Sequence, residues 1–282
     1  MMNRRILLRG LLLLALAVAA LPPAPLGAEV EPGFLEQQAR RISRLGIPAE
    51  EAGRLVGEMR QAGFSRAQLE AATALLERAQ NEGLPTRPIL LKAFEGLSKR
   101  IPPERVMGAL EAVRARYALA YALAKTVVRE DADVHALGQV LAESLAAGVQ
   151  EKDAVRTVQS LQKASSGRRR DAATELATAA LRMLRDLSRF GVSSDLAAEV
   201  VAQALAAGRD AAAIAGIHQS FLDQARSQSP QSAAQALAQG MAHGQAPHGT
   251  AAGASPSGTG GGAGGGGGGP GGGGGGGPGG AR

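Results

Sequence analysis

The stretch GIPAEEAGRLVGEMRQAGFS, residues 46–65, decides the fold. It opens on Gly46-Ile47-Pro48, and 17 residues later it closes on Gly63-Phe64-Ser65. In each triplet the glycine can end a helix in the left-handed conformation. The proline or serine can begin the next helix without leaving a backbone donor stranded. The apolar residue between them can pack onto the first turns as a hydrophobic staple. One short stretch therefore predicts a helix flanked by two chain reversals.

Outward from this stretch the punctuation recurs. Gly83-Leu84-Pro85 and Arg100-Ile101-Pro102 follow at steps of 20 and 17 residues, so two steps make a unit of about 37 residues. Further on, Asp131-Ala132-Asp133 precedes Gly148-Val149-Gln150 by 17, and Gly191-Val192-Ser193 precedes Gly208-Arg209-Asp210 by 17. The segments between are rich in alanine, leucine, glutamate and arginine, all strong helix formers. No window alternates apolar and polar residues with β-branched enrichment, so the pattern predicts an all-α chain. Four units of one short and one longer helix are implied.

Aligned on their starts, the longer helices agree in their apolar positions. Leu69, Val106, Ala154 and Ile214 fall at one place, and Leu76, Val113, Leu161 and Phe221 lie seven residues further on the same face. In the short helices Val140 and Leu141 match Val200 and Val201, and Leu145 matches Leu205. Helices this short cannot bury their stripes alone, so the units are expected to stack as a short solenoid-like array. Two segments depart from the rhythm. Residues 103–129 contain YALAYALAKTVV, apolar on more than one face. Residues 171–190 form an additional amphipathic helix with Leu176, Ala180, Leu184 and Leu187 inward.

The ends differ in kind. Arg4, Arg5 and Arg9 precede an apolar run of about a dozen residues that closes on small residues at Ala28, the layout of a cleavable export signal. The run is shorter than the roughly 20 residues of a membrane span. At the other end, 23 of the 39 glycines lie at or after Gly240, a composition with nothing to bury and much entropy to lose. The organisation expected is a signal peptide over 1–28, a helical-repeat domain over 29–227 and a disordered Ala/Gly-rich tail over 228–282. Residues 229–242, SPQSAAQALAQGMA, are expected to fray if they form a helix at all.

Composition narrows the function. The chain has 31 basic and 25 acidic residues; without the three leader arginines it is only mildly basic. Two tyrosines, five phenylalanines and no tryptophan give little stacking surface, which argues against nucleic-acid binding. There is no cysteine, so an exported chain must be held by its core and not by disulfides. GxSxG, GxxxxGK[ST] and HExxH are all absent.

The remaining clusters read as structural. Asp131, Asp133 and His135 have oxygen and imidazole ligands at metal-like spacing, yet acidic residues at a helix start satisfy free amides and favour the dipole. His218 stands where other long helices carry Leu110 and Val158, as a packing residue would. His243 and His248 lie in a segment without a rigid frame. Arg168, Arg169 and Arg170 can take a phosphate-bearing partner such as a lipid headgroup, but a polar loop is solvated in any case, and that is the reading adopted. Gly53 and Gly57 have the spacing that lets two helix backbones approach. Glu50, Glu51 and Glu77 read as ordinary surface carboxylates near arginines.

No catalytic, cofactor-binding or metal residue is assigned, and no cofactor is expected. The function expected is that of an exported, non-enzymatic module that binds another protein or peptide. No nucleic-acid partner is expected, and membrane contact only through an uncleaved leader; the oligomeric state is open. The alternatives are an envelope-associated structural protein with its glycine tail as spacer, and an enzyme with an unfamiliar site.

Overall fold

The computed structural model describes residues 31–243 and is all helical. Among the described residues there are eleven helices and no strand: α1 Pro32–Ser43, α2 Ala49–Gln61, α3 Arg66–Asn81, α4 Arg87–Ser98, α5 Pro103–Lys125, α6 Asp131–Ala146, α7 Glu151–Ser165, α8 Arg170–Arg189, α9 Ser194–Ala206, α10 Ala211–Gln224 and α11 Pro230–Ala242. The leader and the glycine-rich tail lie outside the described residues.

The chain reverses where the punctuation stands, and the local bonding gives the reason. At Gly63 (φ 82°) the α2 helix closes with Phe64 N donating back to Met59 O at 3.1 Å. Phe64 is then buried against the core. Ser65 opens α3 with a reciprocal capping box: its hydroxyl accepts from Gln68 N, and Gln68 Oε1 accepts from Ser65 N. The same closure occurs before α5 without a glycine, where Arg100 takes φ 52° and Ile101 N donates to Gly96 O at 3.0 Å. Glycine is therefore the cheap solution at these turns and not the only one.

Every position aligned in the longer helices is buried, from Leu69, Val106, Ala154 and Ile214 to Leu76, Val113, Leu161 and Phe221. Of the short-helix positions Leu141, Val200, Val201 and Leu205 are buried, while Val140 and Leu145 are partly covered. In α8 Leu176, Leu181, Met183, Leu184 and Leu187 have no exposed surface, each worth about 1.5–3 kcal/mol of burial. In α5 burial spreads over Tyr117, Ala120, Tyr121 and Ala124, with Leu123 partly covered, as an apolar surface on several faces requires.

The helices pack on their sequence neighbours and also on the next but one. One series runs α1, α3, α5, α7, α9, α11 and the other α2, α4, then α6, α8, α10. Between the two parts of the second series α5 serves as the bridge: α4 packs mainly on α2 and α5, and α6 mainly on α5 and α8. The bridge is tight, because Gly138 of α6 lies so near Tyr121 of α5 that a β-carbon there would be 2.5 Å from the ring.

This arrangement alters the expected phase. The alignment treats α9 as the counterpart of α6 and α10 as the counterpart of α7. Instead α9 packs on α7, and α10 packs on α8. The additional helix α8 is a full member of the second series, so every later helix is displaced by one place. A burial stripe records that a face is covered, but it does not record which series covers it.

The C-terminal boundary also moves. Residues 230–242 form α11, so the helical part continues past 227 to Ala242. Ser229 caps it by accepting from Ser232 N, Pro230 occupies the first turn, and Ala233, Ala234 and Leu237 are buried. Gln231 anchors it to the start of α9, accepting from Ser193 N at 3.0 Å. Tertiary packing offsets the weakness of a short alanine-rich helix. Its outer residues Ser232, Gln235 and Gln239 are exposed, as are Glu36, Gln37 and Arg40 on α1.

Gly53 and Gly57 do not mediate close backbone contact; a β-carbon at either would meet nothing within 4 Å. Two glycines in helices should therefore respond oppositely to alanine. Gly53→Ala is expected to stabilise the fold by up to about 1 kcal/mol. Gly138→Ala is expected to destabilise it by about 1–3 kcal/mol, because the Tyr121 ring must shift. Urea unfolding of the two variants checks both signs, and a stable Gly138→Ala protein would contradict the packing at α5 and α6.

Candidate functional site

The charged groups that cross from one helix to another are not scattered. Arg41 of α1 donates through Nε and Nη2 to both oxygens of Glu77 in α3, at 2.9 and 2.6 Å. Arg87 of α4 donates to Glu51 of α2 at 2.6 Å, and Gln68 of α3 to Glu104 of α5 at 3.3 Å. All three pairs are 36 residues apart. Glu51 and Glu77 therefore tie next-but-one helices together, in place of the local surface pairing expected of them.

In the later helices the same kind of pairing joins α6 to α8 in a row of charges, and His218 of α10 stands at its end. Glu143 sits in the last turn of α6, Arg185, Asp186 and Arg189 at the end of α8, and His218 within α10. Glu143 Oε2 accepts from Arg185 Nη1 at 3.2 Å and from Arg189 Nη2 at 3.0 Å. Arg185 also donates Nε to Asp186 Oδ1 at 2.8 Å and Nη2 to Oδ2 at 3.2 Å. His218 Nε2 stands 3.5 Å from Asp186 Oδ2.

Burial sets the electrostatics of this row. Arg185, Asp186 and His218 keep only about a fifth of their side-chain surface in water. The Asp186 hydrogen bond raises the Arg185 guanidinium above its ordinary value. Burial lowers His218 below its usual 6.5, against the pull of Asp186 and with the push of Arg185. His218 Nε2 is shielded from solvent and has no hydrogen-bond partner among the described residues. Next to the row, Phe190 is half exposed and meets buried Phe221 edge-on at 5.7 Å. Alternating charges and a half-exposed aromatic ring thus meet at the surface, with the imidazole nitrogen of His218 beneath it.

The Ser188 and Ser220 hydroxyls donate to the carbonyls of Leu184 and Gly216, each one turn earlier, at 3.0 Å. His218 therefore has no free hydroxyl from either to activate.

The other residues singled out from the sequence do not converge. Asp133 Oδ2 accepts from Thr174 of α8 at 3.3 Å, and His135 Nδ1 shares a 2.8 Å hydrogen bond with Tyr121 OH. Burial pushes Tyr121 up to about 12, so the phenol keeps its proton for that bond. Asp131 and Asp133 lie in the first turn of α6, but the N-cap is Glu130 and no side chain bonds to the free amides. Their remaining benefit there is to the helix dipole. His243 follows α11 at its C-cap, and His248 lies outside the described residues. Surface grooves of about 390 and 290 Å³ lie elsewhere, the first beside Arg40, Arg44 and Glu77 and the second beside Arg156, Asp195 and Gln231.

The lowered His218 value makes stability depend on pH. Between the folded value and the ordinary one, the unfolded chain binds more protons than the folded chain, so stability rises with pH. This contribution is complete above about 6.5 and is lost as pH falls toward the folded value. The urea midpoint is expected to drop between about pH 7 and about pH 5, and His218→Leu should flatten that drop. An unchanged slope in the variant would show that the imidazole is not held neutral. No protein-family model, curated protein or solved structure matches the chain, so what this surface does must be argued from its own residues.

Proposed function

We propose that the chain is an exported protein of tandem two-helix units, stacked as a short solenoid, that binds another protein or peptide without catalysing a reaction. The observation that carries this reading is the row from Glu143 through Arg185 and Asp186 to His218. It spans three next-but-one helices and has Phe190 exposed beside it. A surface continuous across stacked units suits an extended partner better than a small molecule. Crossing pairs 36 residues apart among α1 to α5, and about 40 apart among α6 to α10, support the stacked reading.

Export rests on the sequence of the leader. Among the described residues no helix is long and apolar enough to cross a membrane. The mature chain is expected to begin at Glu29, which N-terminal sequencing of the protein from the exported fraction checks.

A photo-crosslinking residue at position 190 should yield one dominant adduct in that fraction, and the same residue at position 37 should not. Glu143→Gln with Phe190→Ala should weaken capture about tenfold or more, while deletion of residues 244–282 leaves it intact. Loss of capture on tail deletion alone would favour the glycine tail as the working part.

A further inference from the structure

Arg168, Arg169 and Arg170 are not an isolated basic loop. The loop between α7 and α8 is joined on both sides to the loops that precede α6 and α10. Gln162 Nε2 donates to Thr126 O at 3.1 Å, and Arg170 Nη1 to Glu130 Oε1 at 2.8 Å. Arg168 donates Nε to Ala164 O at 2.9 Å and Nη2 to Gly208 O at 3.4 Å. Three chain reversals, far apart in sequence, therefore form one edge of the helical array.

That edge gathers Lys125, Arg129, Lys163 and Arg209 with the three arginines. Lys125, Arg129, Lys163 and Arg169 are exposed, and Arg168 and Arg209 are partly so. The carboxylates present are already engaged or placed at helix starts. Glu130 pairs with Arg170, Asp171 lies 3.7 Å from Arg169, Asp210 caps α10 through Ala213 N, and Asp131 and Asp133 stand in the first turn of α6, where Asp133 accepts from Thr174. Seven cations against five carboxylates leave +2. Setting aside Arg4, Arg5, Arg9, Glu29 and Arg282, the described chain has 27 basic and 24 acidic residues, or +3. Two of the three net positive charges of the described chain are thus gathered at this one edge.

We propose that this edge docks on an anionic phospholipid surface. Clusters of four to eight lysines and arginines are attracted to such a surface, and the guanidinium forks suit phosphate. Seven cations on three separate reversals can meet headgroups that rearrange beneath them. An acidic peptide would instead be held in a groove, and neither groove named above is lined by any of the seven cations. Single-stranded nucleic acid would need rings to stack on, whereas the three reversals carry no aromatic residue and both tyrosines are buried in α5. Val128 is buried and Val127 partly so, which makes the attachment electrostatic, without insertion, and sensitive to salt. This departs from the expectation that the chain meets a membrane only through its leader.

The test is sedimentation of the full chain with phosphatidylcholine vesicles, with and without phosphatidylglycerol. All chains compared carry the same leader, so any binding by its apolar run is common to them. The edge variant is Lys125→Gln, Arg129→Gln, Lys163→Gln and Arg169→Gln, which leaves the cross-loop bonds of Arg168 and Arg170 in place. A control variant removes as many exposed, unpaired cations elsewhere: Arg60→Gln, Arg105→Gln, Lys152→Gln and Arg182→Gln. The wild type and the control should bind the anionic vesicles alike and be released by salt, while the edge variant binds about tenfold or more weakly with an unchanged circular dichroism spectrum. Equal loss in both variants, or binding indifferent to phosphatidylglycerol, would overturn the proposal. So would an edge variant that keeps its vesicle binding but loses binding to polyglutamate or duplex DNA, which would assign the edge to an acidic chain or to nucleic acid.

Discussion

A helix of twelve to sixteen residues cannot cover its own apolar stripe, and nearly every helix here is of that size. With no cysteine to tie the chain, each stripe must be covered by helices before and after it. The next-but-one packing meets this need. Ile42, Leu69, Leu141, Leu161, Leu181 and Phe221 are almost wholly removed from water although they belong to six different helices. The crossing ion pairs are secondary to this burial. Most are partly exposed, and exposed pairs contribute about 1 kcal/mol or less each. Their part is to set which helix lies against which.

Much of the fold is legible in the sequence because its signals are local. Gly63 and Ser65 act within a few residues of themselves, so the reversal and the cap can be read without knowing the rest of the chain. The buried stripe through Leu69 and Leu76 is equally local, being set by helical periodicity. The displaced phase after α8 is a different matter. Whether α9 covers α6 or α7 depends on contacts some forty residues away, such as Asp153 accepting from the Ser194 hydroxyl at 2.6 Å. The docking of α11 is likewise decided by Gln231 reaching Ser193, and no helix propensity within Pro230–Ala242 predicts it. For the same reason neither the row through Arg185 nor the basic edge is evident in one dimension. A search for opposite charges 36 residues apart would have found Arg41 with Glu77 and Glu51 with Arg87.

His218 shows how a polar ring can be placed in such a frame at little cost. The sequence alignment sets it against Leu110 and Val158, but α10 packs in the series of α8, and there Nε2 stands 3.5 Å from Asp186 Oδ2. Burial favours the neutral ring, so His218 adds no further charge to the row. Arg185 is held by two carboxylates on two helices, which keeps a long side chain in one orientation. Such preorganised groups lose less freedom on meeting a partner than free surface side chains do.

The outer faces of α1 and α11 bear on the span of the array. Glu36, Gln37 and Arg40 face water at one extremity, and Ser232, Gln235 and Gln239 at the other. Neither presents the greasy flank on which a following pair of helices could settle. On the proposed reading, the footprint of an elongated partner is bordered at both flanks by side chains that stay in water.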